Sequence, residues 1–131
     1  MSKMRELARL GQSVWLDYIR RAFIDSGELQ GLIDEGLRGI TSNPTIFEKA
    51  IAGSADYDVA LGRLVEDGLS TPETYERLVI EDISRAADLL RPVYDATDGF
   101  DGYVSLEVSP EIPARDAGPW PRPSSWAARS R

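Results

Sequence analysis

A chain of 131 residues has room for one domain, and a content of 42% hydrophobic and 28% charged residues is that of a folded protein rather than a disordered one. The net charge of −7, from 22 acids against 15 bases, argues against nonspecific binding to nucleic acid. Cysteine and histidine are both absent, which excludes disulfides, thiolate metal sites, the usual zinc ligand and any Ser-His-Asp triad.

In chain order, residues 3–10 predict a short helix with Met4, Leu7 and Leu10 on one side. Ser13 to Ile19 (SVWLDYI) is an apolar run broken by Asp17, a candidate strand. Ser26 is placed to cap a helix running to Leu37, with Leu29, Leu32, Ile33 and Leu37 as its apolar stripe. Gly39 to Ser42 (GITS) reads as a short buried strand, and Asn43-Pro44 as a helix start with asparagine as cap and proline in the first turn. Ser54 is expected to open another helix, with Tyr57, Ala60, Leu61, Leu64 and Val65 as apolar residues. Thr71-Pro72-Glu73 opens the longest helix, in which Tyr75, Leu78, Val79, Ile83, Ala86, Leu90 and Val93 recur at helical spacing and Pro92 should kink or end it. Gly99 and Gly102 punctuate the turn into Tyr103 to Val108 (YVSLEV), a third strand broken by Glu107. No apolar run reaches the roughly 18 residues of a membrane span. The N-terminal MSKMRELARLGQ lacks the apolar core of a signal peptide, so a soluble cytoplasmic protein with neither membrane nor nucleic-acid partners is expected.

Strand, helix, strand, helices, strand is the pattern of βα units and a parallel sheet. Asp17, Asn43 and Glu107 each fall at or just past the C-terminal end of a candidate strand. In parallel α/β folds the active site is built at that end. Each has a plainer explanation: Asp17 as a solvated edge acid, Asn43 as a helix cap, Glu107 as a paired or exposed acid. Three such residues at three successive strand ends weigh toward a site.

These residues carry a resemblance. GITSNPTIFEKAI at 39–51 resembles the segment around strand two of transaldolases, GYVSLEVSP at 102–110 resembles their strand-three segment, and SVWLDYI supplies the strand-one aspartate. The likeness runs from about Leu7 to about Ile112 and is to the longer bacterial branch of the family. It implies an α/β fold: the first three βα units of a (β/α)8 TIM barrel of the class I aldolase type, incomplete, over residues 1–112. It also implies transfer of a dihydroxyacetone unit from sedoheptulose 7-phosphate to glyceraldehyde 3-phosphate in the pentose phosphate pathway, giving erythrose 4-phosphate and fructose 6-phosphate. The family uses a lysine Schiff base on strand four and needs no cofactor. Carried over by position, Asp17 is the acid/base for the cleaved hydroxyl. Glu107 assists proton transfers through water, Asn43 binds the dihydroxyacetone unit, and Thr41 and Ser42 support it. The departures are concrete. The lysines are Lys3 and Lys49, neither on a strand-four position, and the chain is shorter than the roughly 200–250 residues of a full barrel. The chain as it stands is therefore expected to be an inactive N-terminal part of a transaldolase. The alternative is a non-catalytic assembly module that docks on a complementary half-barrel.

From Pro113 to Arg131 the composition changes: PARDAGPWPRPSSWAARSR holds four of the eight prolines and carries +3, leaving −10 on the remainder. Such proline density forbids a helix or central strand, so 113–131 is expected as a disordered tail. A proline-rich ligand role is disfavoured, since the P-x-x-P spacing arises only from Pro110 and Pro113. A frameshift offers a sharper account, because DNA encoding PWPRPSSWAARS (119–130) can read MAEAKQLGREVA, an amphipathic helix, in an adjacent frame. The nucleotide sequence past residue 131 tests this. Absence of a lysine-bearing strand in every downstream frame would defeat it.

Overall fold

The computed structural model describes residues 2–107, so the expected tail at 113–131 and Val108 lie outside the described residues. Its elements are α1 (Lys3–Arg9), β1 (Trp15–Asp17), α2 (Arg21–Asp25), α3 (Glu28–Glu35), β2 (Gly39–Ser42), α4 (Pro44–Ala52), α5 (Asp58–Glu66), α6 (Thr71–Ala96) and β3 (Tyr103–Leu106). The strands form one sheet in the order β1-β2-β3, every pair parallel. Trp15 pairs with Gly39 and Gly39 with Tyr103; two residues on, Asp17 pairs with Thr41 and Thr41 with Ser105.

Because side chains alternate along a strand, this register sorts the sheet into two faces. Leu16, Ile40, Val104 and Leu106 face the helices. They pack with Leu29 and Ile33 of α3, Phe47 of α4, and Val79, Ile83, Ala86, Leu90 and Val93 of α6. The opposite face holds Trp15, Asp17, Thr41, Tyr103 and Ser105 and is largely open. On it the Trp15 indole lies across Gly39, where an added Cβ would come within 2.5 Å of the ring carbons. A side chain at position 39 and the indole cannot share that space.

Local chemistry explains the helix ends. Asn43 caps α4 and Pro44 opens it. Ser70 and Glu73 form a reciprocal capping box at the start of α6, whose stripe from Leu78 to Val93 is buried as its spacing predicts. At the other end, Gly102 has φ 89° and sits against the backbone of Tyr94, so the turn into β3 admits no Cβ there.

The fold also corrects several expectations. Ser26 accepts from the Glu28 amide at the start of α3 at 3.3 Å but does not hold its N-cap position. It ends α2, Gly27 holds the cap position of α3, and the helix stops at Glu35, with Leu37 buried beyond it. Ser54 does not open a helix, because its hydroxyl donates to the Ala50 carbonyl 2.6 Å away at the end of α4; α5 begins at Asp58. Val65 on α5 is 64% exposed rather than apolar core. In α1, Met4 packs on the core but Leu7 and Leu10 are exposed. Pro92 does not end α6, which runs four residues further to Ala96. Both Pro92 and Asp88, whose carbonyl loses its intrahelical partner, lie on the exposed side, where water can take the place of the missing N–H. The first strand is three residues long rather than seven, because the chain turns after Asp17 into the unforeseen helix α2.

Candidate active site at the strand ends

Asp17 is the last residue of β1, and its Oδ1 accepts a 2.8 Å hydrogen bond from Thr41 Oγ1 on β2. The contact follows from register, since the two residues are directly paired on the open face. Asn43 is the first residue past β2. Its Oδ1 accepts from the Ile46 amide at 2.9 Å, capping α4 as the plainer explanation has it, and its carboxamide N–H2 donates to no partner among the described residues. Glu107 is the first residue past β3. Its backbone amide donates to the Ser42 carbonyl at 3.0 Å, extending the ladder by one step and setting Glu107 beside Asn43. Asp17, Thr41, Asn43 and Glu107 thus gather on the same rim of the sheet, with both acids exposed.

Ser42 stands apart from them. It is 1% exposed, lies on the helix face, and donates its hydroxyl to the Ser105 carbonyl at 3.0 Å. Its contact ties β2 to β3 and leaves no hydroxyl on the open face. Ser105, which sequence reasoning passed over, is on that face opposite Thr41; counting back two residues from Glu107 would have found it.

The connection that follows Asp17 is held by two carboxylates. Arg20 reaches Asp56 through Nε at 2.6 Å and Nη2 at 3.1 Å, and the Ala22 amide donates to the same Asp56. Arg21 donates from Nε to Asp82 at 2.8 Å, while its backbone amide donates to the Tyr57 hydroxyl, which itself donates to Asp82 at 2.7 Å. Glu81 adds a 3.1 Å contact to Arg21, and the guanidinium also lies over the Tyr57 ring, 4.9 Å from its centre. Asp82 is 0% exposed. Burial pushes its carboxyl upward against the pull of Tyr57 and Arg21. Burial pushes the Tyr57 phenol upward as well, with Asp82 adding to it. Burial works against the charge on Arg21, and Asp82, together with Glu81 and Tyr57, more than restores it. The signal for this cluster was an acid inside the apolar stripe of α6, at helical spacing from Leu78 and Ala86.

Hydrogen bonding to Arg20 holds the Asp56 carboxyl below the ordinary carboxylate value. A carboxyl whose folded pKa is depressed stabilises the fold above its unfolded value near 4, and that stabilisation is lost as pH falls through the folded value. Asp56→Asn is therefore expected to weaken the chain at pH 7, with the difference from wild type closing as the pH falls below about 4. Urea midpoints of the two proteins across that range are the measurement.

The model for the family described as Transaldolase/Fructose-6-phosphate aldolase matches residues 14–117. The chain belongs to this family. The transaldolase of Trichodesmium erythraeum is 52% identical over 108 residues, which cover 82% of this chain and 28% of that protein. The transaldolase of Thermobifida fusca is 49% identical over 116 residues (88% and 31%), and that of Neisseria gonorrhoeae 41% over 117 residues (89% and 33%). The chain thus spans about three-tenths of the length of these curated relatives, a partial transaldolase chain. The transaldolase match takes in all three strands and every residue of the candidate site. Among the described residues, no helix is long and apolar enough to cross a membrane.

Proposed function

We infer that residues 1–112 form the first part of a transaldolase (β/α)8 barrel, acting in the cytoplasm, and contribute the proton-handling half of a sugar-phosphate site. The gathering of Asp17, Thr41, Asn43 and Glu107 on one rim of a parallel sheet carries this reading. Asp17, oriented by the Thr41 hydroxyl, exchanges the proton of the hydroxyl released as the carbon–carbon bond breaks. Glu107 works through water on the carbonyl end, and the Asn43 amide holds the dihydroxyacetone unit. Two carboxylates at the ends of β1 and β3, with β2 between them, suit proton transfers at two different substrate atoms. Ser42 supports the site from behind through the β2–β3 ladder. The substrates in this reading are sedoheptulose 7-phosphate and glyceraldehyde 3-phosphate, and the products are erythrose 4-phosphate and fructose 6-phosphate, with no cofactor and a Schiff-base lysine supplied from outside residues 1–131.

A chimera tests this directly: residues 14–107 replace the matching segment of the Thermobifida fusca transaldolase. Asp17→Ala in the chimera is expected to lower turnover by about 100-fold or more, the range for loss of a general acid/base, with little change in melting temperature. Turnover within threefold of the parent chimera would remove Asp17 from the mechanism.

A second reading rests on the open face, where Trp15 is 38% and Tyr103 43% exposed, and on the outer edges of β1 and β3. These surfaces suit docking onto a chain that supplies the remaining strands. Mixing the 131-residue chain with the complementary segment of the same relative, followed by size exclusion, distinguishes a stoichiometric complex from an inert fragment.

A further inference from the structure

A cleft of about 180 Å³ is lined by residues of the β1–α2 connection, of α4 and of the turn that follows it. Tyr18, Ile46 and Ala50 line it together with the charged residues Arg20 and Lys49. None of the described residues lining it is acidic, in a chain with 22 acids against 15 bases. Both sides of the β1–α2 connection are preset. Asp56 holds the Arg20 guanidinium through two nitrogens, and the Tyr18 ring stands edge-on against Phe23 at 5.5 Å. Lys49, across the cleft, has no ion-pair partner among the described residues. Arg20, its charge balanced by Asp56, is therefore oriented before any ligand arrives, and Lys49 supplies a positive charge unpaired among the described residues. The volume is below the roughly 300 Å³ at which pockets begin to enclose whole drug-sized ligands, so it suits a single charged group with a short apolar neighbour.

We propose that this cleft binds the oxyanion of a small metabolite, a phosphate ester or a carboxylate, between Arg20 and Lys49. The ligand's body lies against Tyr18 and Ile46. Its lining includes none of Asp17, Thr41, Asn43 and Glu107, and the proposal does not depend on transaldolase chemistry.

The sequence supplies its own control, since Lys3 and Lys49 are the two lysines of the chain. Acylation of the 131-residue protein with a water-soluble succinimidyl ester, followed by peptide mass mapping, gives the rate at each lysine. Inorganic phosphate at about twice its dissociation constant, at ionic strength held constant with chloride, is expected to slow Lys49 about threefold relative to Lys3. An acetate arm separates the sources: protection by phosphate alone assigns phosphate esters, and protection by acetate extends or assigns the site to carboxylates. A Lys49-to-Lys3 rate ratio that neither anion changes overturns the proposal. The paired change Arg20→Gln with Asp56→Asn removes the cation without leaving its partner unpaired. Protection that persists in this variant also overturns the proposal.

Discussion

Borohydride added to the purified 131-residue chain with fructose 6-phosphate is expected to leave its intact mass unchanged. Trapping needs an iminium, and an iminium needs an amine kept partly neutral in a desolvated pocket. Lys3 stands exposed on α1 before the first strand, and Lys49 is exposed in the last turn of α4. Neither belongs to the rim that gathers Asp17, Asn43 and Glu107. Without the iminium no electron sink receives the carbanion, and well-placed acids cannot replace it. A stoichiometric adduct mapped to Lys49 would mean that the site is built differently. An adduct that appears only in a frame-corrected or extended chain, at a strand lysine, would support both the partial-barrel reading and the frameshift.

Asp82→Ala is expected to cost about 3–5 kcal/mol, the range for removing one partner of a buried ion pair. The cost arises because Arg21 stays charged and loses the carboxylate that its Nε meets at 2.8 Å, while the Tyr57 hydroxyl loses its acceptor. Small domains have roughly 5–15 kcal/mol in total, so the variant should be largely unfolded under conditions where the wild type is folded. Tyr57→Phe should cost less, about 1–3 kcal/mol, by leaving the Arg21 amide and one Asp82 oxygen without a partner. The double change Arg21→Met with Asp82→Leu should recover much of the loss, since apolar replacement of both partners removes the desolvation problem. Urea unfolding of the three variants is the measurement. An Asp82→Ala protein within about 1 kcal/mol of wild type would mean that water already solvates the cluster.

Period and punctuation made much of this fold readable. The stripe of α6 is long enough for the 3.6-residue spacing to be unambiguous, and Asn43-Pro44 and the Ser70 box are local signals that tertiary contacts did not override. Short elements were different. Ser54 is a good cap in isolation, yet its hydroxyl donates to the Ala50 carbonyl at the end of α4 instead; Ser26 does accept from the Glu28 amide at the start of α3, but Gly27 takes the cap position itself. Helix α2 has five residues, too few to show a period, and it is held by Asp56, Tyr57 and Asp82, which lie 34 to 61 residues away in sequence. At the site, strand-end positions located Asp17, Asn43 and Glu107 because a polar residue in an apolar run is conspicuous. The facing of Ser42 was not readable in the same way: in a four-residue strand, a one-residue shift of the expected pairing turns every side chain to the other face.

The parallel sheet also sets an order of assembly. Trp15 meets Gly39 across 24 residues of chain, whereas Gly39 meets Tyr103 across 64. Closing the longer loop costs roughly 0.9 kcal/mol more in chain entropy, and it must wait for α4, α5 and the 26 residues of α6 to be laid down. During synthesis β1 and β2 leave the ribosome, and are free to pair, well before β3 exists. The first paired strands thus bring Asp17 and Thr41 together early, while the Glu107 side of the rim arrives last, on the ladder that the Ser42 carbonyl extends.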